Sequence, residues 1–273
     1  MSLSEVTSAR TGVDSLWASL RVEAAAASAE EPILASFLNA AILRHDSFSE
    51  ALVYRLAAKL ADAQLDAMLA RDIADSAIAG DPEIVTQAAA DMMAIKDRDP
   101  ACIGFLQPFL YFKGFHALQI HRVAHWLWAE DRHTLAFHLQ SRVSERFGLD
   151  VHPAARIGKG MMIDHGTSIV IGATAVVGDD VSLLHEVTLG GTGAADEDRH
   201  PKIGKGVLIG AGAKVLGNIK IGDNARIAAG SVVLKDVPAG CTVAGVPAKA
   251  VGNCCPQPAK SMDQSFIDEG SAI

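Results

Sequence analysis

The chain has 273 residues, 49% of them hydrophobic and 21% charged, which is the make-up of a folded globular protein and excludes a disordered one. A net charge of −8 offers no electrostatic attraction to nucleic acid or to an anionic membrane surface. No run of about 18 apolar residues occurs, so no membrane span is expected; the most apolar stretch, 104–128, is broken by Lys113, His116, Gln119, His121 and Arg122.

Up to about Gly148 the pattern is helical. Val13, Leu16, Trp17, Leu20 and Ala24 recur at helix spacing. Pro32 suits a first helical position, ahead of Ile33, Leu34, Phe37, Leu38, Ala41 and Ile42. Ser47 with Glu50 has the spacing of a capping box, and Asp81-Pro82-Glu83 opens a further helix. His121 and His125 have the i, i+4 spacing of metal ligands, but no third ligand is evident nearby, so a structural role is expected and no metal. Leu135, Leu139, Val143 and Phe147 keep i, i+4 spacing, and Gly148 can close that helix in a left-handed cap.

From Val151 the period becomes six. Positions 151, 157, 163, 169, 175, 181 and 187 are Val, Ile, Ile, Ile, Ala, Val and Val; positions 203, 209, 215, 221, 227 and 233 are Ile, Ile, Val, Ile, Ile and Val. Such hexapeptides predict a left-handed parallel β-helix, three short strands to a triangular coil and slightly more than four coils in all. The expected fold is therefore α+β: an all-α domain over 1–148, a β-helix over 149–252 with an excursion loop at 193–202, and a flexible polar tail over 253–273. Cys102, Cys241, Cys254 and Cys255 form no CxxC pair and Met1–Glu5 do not resemble a signal peptide, which predicts reduced thiols in a cytoplasmic protein.

A regular shaft has few free side chains, so its chemistry is expected where the repeat fails. One failure is the sixteen-residue step from 187 to 203, which carries Arg199 and His200 on an otherwise acidic loop. Another is Asp164-His165, an acid and an imidazole where small residues are usual. His165 suits proton abstraction near neutral pH, and Asp150, at the start of the shaft, could orient the ring and steady its cation. His152 and His185 are ambiguous. The zinc site of a β-helix carbonic anhydrase would need two histidines close together on one shaft edge, and the spacing shows none after 151. No phosphate loop or dinucleotide fingerprint is present.

The residues resemble those of the bacterial serine O-acetyltransferase family. The matching stretches are Asp150–Ala155 (DVHPAA), Ile163–His165 (IDH), Val187–Gly193 (VTLGGTG), Asp198–Ile203 (DRHPKI), Ile209–Lys214 (IGAGAK), Ala229–Leu234 (AGSVVL) and Ala244–Lys249 (AGVPAK), with Arg98–Ala101 (RDPA) and Lys113–Gln119 (KGFHALQ) in the helical half. The resemblance implies acetyl transfer from acetyl-CoA, a co-substrate and not a resident cofactor, to the hydroxyl of L-serine, with cysteine as a feedback inhibitor. It implies His165 as general base with Asp150 as its partner, and Asp99, Asp164, Arg199 and His200 around the amino acid. It also implies Gly191, Ala211, Ala229 and Lys249 along the CoA arm, a homohexamer built as a dimer of trimers, and Ile273 as the anchor for O-acetylserine sulfhydrylase. Two alternatives stay open: a hexapeptide acetyltransferase for homoserine, a sugar or an antibiotic hydroxyl, and a non-catalytic regulatory scaffold.

Overall fold

The computed structural model describes residues 3–193, 197–253 and 256–264. They form two compact units that meet in sequence between Phe147 and Gly148. The first unit holds α1 (Leu3–Glu30), α2 (Ala35–Leu38), α3 (Phe48–Leu60), α4 (Ala67–Gly80), α5 (Glu83–Arg98), α6 (Leu106–Tyr111), α7 (Lys113–Ala129) and α8 (His133–Phe147). The starts of α3, α4 and α5 are set by side chains that satisfy free amides. Ser47 Oγ accepts from Glu50 N–H at 3.2 Å, and Glu50 returns the favour to Asp46 N–H at 3.1 Å. Asp66 Oδ1 accepts from the amides of Met68 and Leu69, and Asp81 Oδ1 from that of Glu83. Each such cap is worth about 1 kcal/mol.

α7 is the central helix, buried on nearly every side from Gly114 to Ala124. Its polar residues are consequently paired. Arg122 donates to Asp91 Oδ2 at 2.7 Å and to Gln87 Oε1 at 2.8 Å, and Gln119 Nε2 donates to the same Asp91 oxygen at 3.0 Å. This buried network ties α5 to α7, and removing one charged member would strand the other. His116 is fully buried and its Nε2 lies 2.8 Å from the carbonyl of Phe109, which makes it the Nε2–H donor. Rings of His121 and His125 stack with centroids 6.0 Å apart.

The second unit is a parallel β-helix. The strands β1 (Leu149–Val151), β2 (Arg156–Ile157) and β3 (Met162–Ile163) make the first coil; β4 (Ile169–Ile171), β5 (Val176–Val177) and β6 (Ser182–Leu183) the second. β7 (Thr188–Gly190), β8 (Lys202–Ile203) and β9 (Leu208–Ile209) follow, then β10 (Lys214–Leu216), β11 (Lys220–Ile221) and β12 (Arg226–Ile227). β13 (Val232–Val233) and β14 (Cys241–Ala244) carry the shaft into a fifth coil, and β15 (Lys249–Asn253) folds back antiparallel on β14. Three sheets result: a first containing β1, β4, β7, β10 and β13, a second containing β2, β5, β8 and β11, and a third containing β3, β6, β9, β12, β14 and β15.

The fold class is the one expected, but the register is not. The strands align Val151 with Ile171, Ile157 with Val177 and Ile163 with Leu183. The sixfold count puts Ile169, Ala175 and Val181 in line with Val151, Ile157 and Ile163; they in fact stand two residues before the true partners. The physical reason is that positions two apart on one strand point to the same face, and here both are buried: Ile169 with Ile171, Val181 with Leu183, Val187 with Leu189. An apolar pattern at one therefore mimics an apolar pattern at the other. The true step is twenty residues between the first and second coils, because two extra residues are accommodated between Ile163 and Ile169. From β7 to β10 it is twenty-six, because the excursion adds eight; the other steps along the first sheet are eighteen.

Residues 256–264, assigned to the tail by composition, lie against the third sheet. Ser182 Oγ donates to the carbonyl of Ala259 at 2.9 Å, and Arg226 reaches Asp263 Oδ2 at 3.2 Å; α9 (Pro258–Ser261) lies between. Cys254, Cys255 and Ile273 lie outside the described residues.

Burial pushes His116 from its ordinary 6.5 down to about 3, so it is neutral in the folded unit and titrates freely only when unfolded. A depressed imidazole contributes stability that is full above the unfolded value and is lost as pH falls below it. Between pH 8 and pH 5 this one group should remove about 2 kcal/mol from the helical unit. Urea unfolding of the unchanged protein and of His116→Gln at both pH values checks it: the variant's loss should be smaller by about that amount, and an equal loss would contradict the assignment.

Candidate active site

The two extra residues between Ile163 and Ile169 make the turn that carries His165. Gly166 N–H donates to Asp164 C=O at 2.6 Å, closing a three-residue turn with His165 at its centre and φ +57° there. Gly166 and Ser168 follow at φ +74° and +60°. A non-glycine residue in the left-handed region costs about 1–2 kcal/mol, so the surroundings must impose it. They do so from both sides: Asp164 N–H donates to Leu183 C=O at 2.9 Å, Ser168 N–H to Gly148 C=O at 2.7 Å, and Glu186 N–H to Thr167 C=O at 2.7 Å. At Gly166 an added Cβ would crowd its neighbours, 3.1 Å from Ile163 and 3.2 Å from Leu149, on a backbone at φ +74° that side chains rarely adopt.

The turn throws the imidazole outward. The side chain of His165 is 73% exposed, with Nε2 3.7 Å from Asp164 Oδ1. It stands beside the outer face of the first sheet. There Leu149 and Val151 point inward, so Asp150 between them points out, next to Val170 on β4. Asp150 also acts on His152, whose pKa is lowered by desolvation and partly restored by that carboxylate.

His185 was left open by the sequence and belongs here. It occupies the corresponding corner one coil on, and its ring meets that of His165 edge-on with centroids 5.9 Å apart. Its Nδ1 is buried with no partner among the described residues. The expectation that no two shaft histidines share an edge is thus overturned, for the same reason as the register: 165 and 185 stand one coil apart only when the two inserted residues are counted. Among the described residues no group of three His, Cys, Asp or Glu is placed to hold a metal ion. Beyond His185 the same corner continues through Ala211 and Ala229, as Gly212 N–H donates to His185 C=O at 2.9 Å and Gly230 N–H to Ala211 C=O at 2.7 Å. His165, His185, Ala211 and Ala229 thus mark a straight edge roughly 14 Å long at the usual inter-strand spacing.

The excursion leaves after Gly190 and returns at Lys202, and its returning limb lies at the far end of β4. His200 is only 7% exposed, and its ring covers Gly172: a Cβ on Gly172 would lie 1.9 Å from His200 Nε2. Desolvation, then the neighbouring Arg199 and Lys202, push the pKa of His200 down. Arg199 packs its methylenes over Gly191, where a Cβ would lie 3.1 Å from Cγ and Cδ. Lys202 Nζ pairs with Asp198 and holds its pKa down. The turn of His165 and the pair Arg199-His200 therefore flank the two ends of β4, roughly 10 Å apart by strand rise. Lys249 is exposed on β15, opposite Ala244 on β14. Asp99, in the helical unit, is the C-cap of α5 and accepts from Ala101 N–H at 2.8 Å.

Three comparisons bear on this arrangement. A family profile described as serine acetyltransferase, N-terminal, matches residues 16–120, and one described as bacterial transferase hexapeptide (six repeats) matches 200–235. The serine acetyltransferase of Salmonella typhimurium is 52% identical over 252 residues, 92% of each chain. A solved serine acetyltransferase in complex with cysteine is 48% identical, with a TM-score of 0.91 over 93% of this chain and 99% of that one. The Brucella abortus enzyme in complex with coenzyme A is 51% identical, with a TM-score of 0.88 over 89% and 97%. The soybean enzyme complexed with serine is 49% identical, with a TM-score of 0.86 over 88% and 98%.

Gly166→Ala tests the turn. Strain at φ +74° and contact with Ile163 and Leu149 should destabilise the β-helix by about 1–2 kcal/mol in urea unfolding. A variant as stable as the unchanged protein would show that the turn is not built this way.

Proposed function

Since the chain belongs to the serine acetyltransferase family and is an acyltransferase, we propose that it moves the acetyl group of acetyl-CoA to the hydroxyl of L-serine by direct transfer, giving O-acetylserine and CoA, the first step of cysteine synthesis in the cytoplasm. The observation that carries the mechanism is an exposed imidazole on a strained turn, 3.7 Å from a carboxylate, at the head of a straight edge that continues through His185, Ala211 and Ala229. His165 takes the proton of the serine hydroxyl, and the oxygen attacks the thioester carbonyl. Asp150, on the adjoining strand, orients the ring and steadies its cation. His185, one coil away, donates to the oxyanion of the tetrahedral intermediate. The intermediate collapses, the C–S bond breaks, and the CoA thiolate recovers the proton from His165.

The zwitterion is bound by opposite charges: Asp164 and Asp99 take the ammonium, and Arg199 with His200 takes the carboxylate. A thin, extended CoA arm suits the edge of Ala211 and Ala229, with Gly191 beside Arg199 and Lys249 nearer the nucleotide. Cysteine, which differs from serine only in sulfur for oxygen, competes for the same groups; one solved relative is a complex with cysteine, another with serine, and a third with coenzyme A. Exposed Val22, Ile33, Met68 and Ile103 on the helical unit suit burial in a homohexamer, a dimer of trimers. Ile273 at the chain end suits capture by O-acetylserine sulfhydrylase.

Release of free thiol from acetyl-CoA with L-serine, L-homoserine and a galactoside in parallel tests the acceptor; only L-serine should give rapid release. His165→Ala should lower turnover at least about 100-fold. Rapid release with another acceptor and not with L-serine, or near-normal turnover in the variant, would overturn the proposal.

A further inference from the structure

The groups that hold Arg199 and His200 in place converge on one residue that no motif marks, Thr174, at the corner after β4. Its hydroxyl oxygen accepts from the backbone amides of both Arg199 and His200, each at 3.1 Å. The same hydroxyl lies 2.9 Å from His200 Nδ1, and the Thr174 amide donates to that nitrogen at 3.3 Å. Its carbonyl accepts from Lys202 Nζ at 2.6 Å, and Lys202 also reaches the carbonyl of His200 at 3.0 Å.

Proton counting then decides the state of the ring. A hydroxyl has two lone pairs and one proton. Both lone pairs are taken by the two loop amides, so the proton is the only part left to face Nδ1. An amide N–H can only donate, so Nδ1 must accept from it as well. Asp198 also draws on that hydroxyl proton, through a side-chain hydrogen bond with Thr174, so the contact that decides the ring is the Thr174 amide, which leaves Nδ1 no proton of its own. Nδ1 is therefore unprotonated, and the ring proton sits on Nε2, the nitrogen seated over Gly172 with no partner among the described residues. The opposite tautomer would turn a lone pair toward any carboxylate gathered by Arg199, which repels it.

We propose that Thr174 is a positioning residue for the carboxylate end of the acceptor: it clamps the returning limb of the excursion and fixes His200 as the Nε2–H tautomer, an uncharged donor beside the Arg199 cation. This rests on the reading that Arg199 and His200 bind an amino-acid carboxylate. It makes two claims that are measured separately. Long-range ¹H–¹⁵N correlation on protein labelled in its histidine rings, with His200→Gln to assign the signal, should show His200 protonated at Nε2 and bare at Nδ1. In the thiol-release assay Thr174→Val, which keeps the shape but loses the hydroxyl, should raise the KM for L-serine about tenfold or more while the KM for acetyl-CoA and kcat stay within about threefold. Thr174→Ser, which restores the hydroxyl, should return the serine KM to within about threefold of the unchanged protein. A His200 ring protonated at Nδ1, or a serine KM unmoved by Thr174→Val, overturns the inference. The ring measurement needs no substrate, so it decides the clamp even if the unchanged protein fails to acetylate L-serine, a failure that would count against the acceptor alone.

Discussion

The constraint on which the rest depends is the parallel backbone ladder of the β-helix. Each strand must find its partner one coil away, so a coil has a fixed allowance of eighteen residues, and any surplus must leave the ladder at a corner. Along the first sheet the steps are twenty, eighteen, twenty-six and eighteen. The surplus of two becomes the turn that carries Asp164 and His165; the surplus of eight becomes the excursion that carries Arg199 and His200. The first lies at the beginning of β4; the second leaves after β7, and its returning limb packs at the end of β4. The ladder explains where the groups stand: residues expelled at two corners of a rigid shaft flank the same strand, about 10 Å apart along it.

Rigidity also explains how strain is tolerated. A left-handed histidine and two further left-handed residues in five would not persist in a free loop. Here three backbone bonds, to Leu183, Gly148 and Glu186, over-determine the turn. Among the described residues the excursion makes no such ladder at Arg199 and His200, and its returning limb is held there by side-chain bonds from Thr174 and Lys202. On the proposed reading the site combines a base fixed by backbone with a carboxylate grip fixed by side chains, and the second is the more easily altered by substitution.

Much of this was legible in the residues. The caps at Ser47 and Asp81, the left-handed stop at Gly148 and the change of period at Val151 each follow from local chemistry that tertiary structure had no reason to override. The class of the shaft follows from its hexapeptides. Its register does not, because Ile169 and Ile171, or Val187 and Leu189, are equally apolar and face the same interior; only hydrogen-bond pairing tells them apart. That error hid His185 as a neighbour of His165. Thr174 was illegible for another reason: a threonine at a β-helix corner looks like filler until the loop that it holds has been placed. Ile273 and the vicinal cysteines fall outside the described residues, and their assigned roles rest on resemblance or composition.

The account comes down to whether the expelled imidazole meets the acceptor. A crystal structure of this protein with L-serine bound addresses that most directly. The serine hydroxyl should lie within about 3 Å of a ring nitrogen of His165, with its carboxylate at Arg199. Serine bound with its hydroxyl turned away from His165, or at another face of the shaft, would contradict the account.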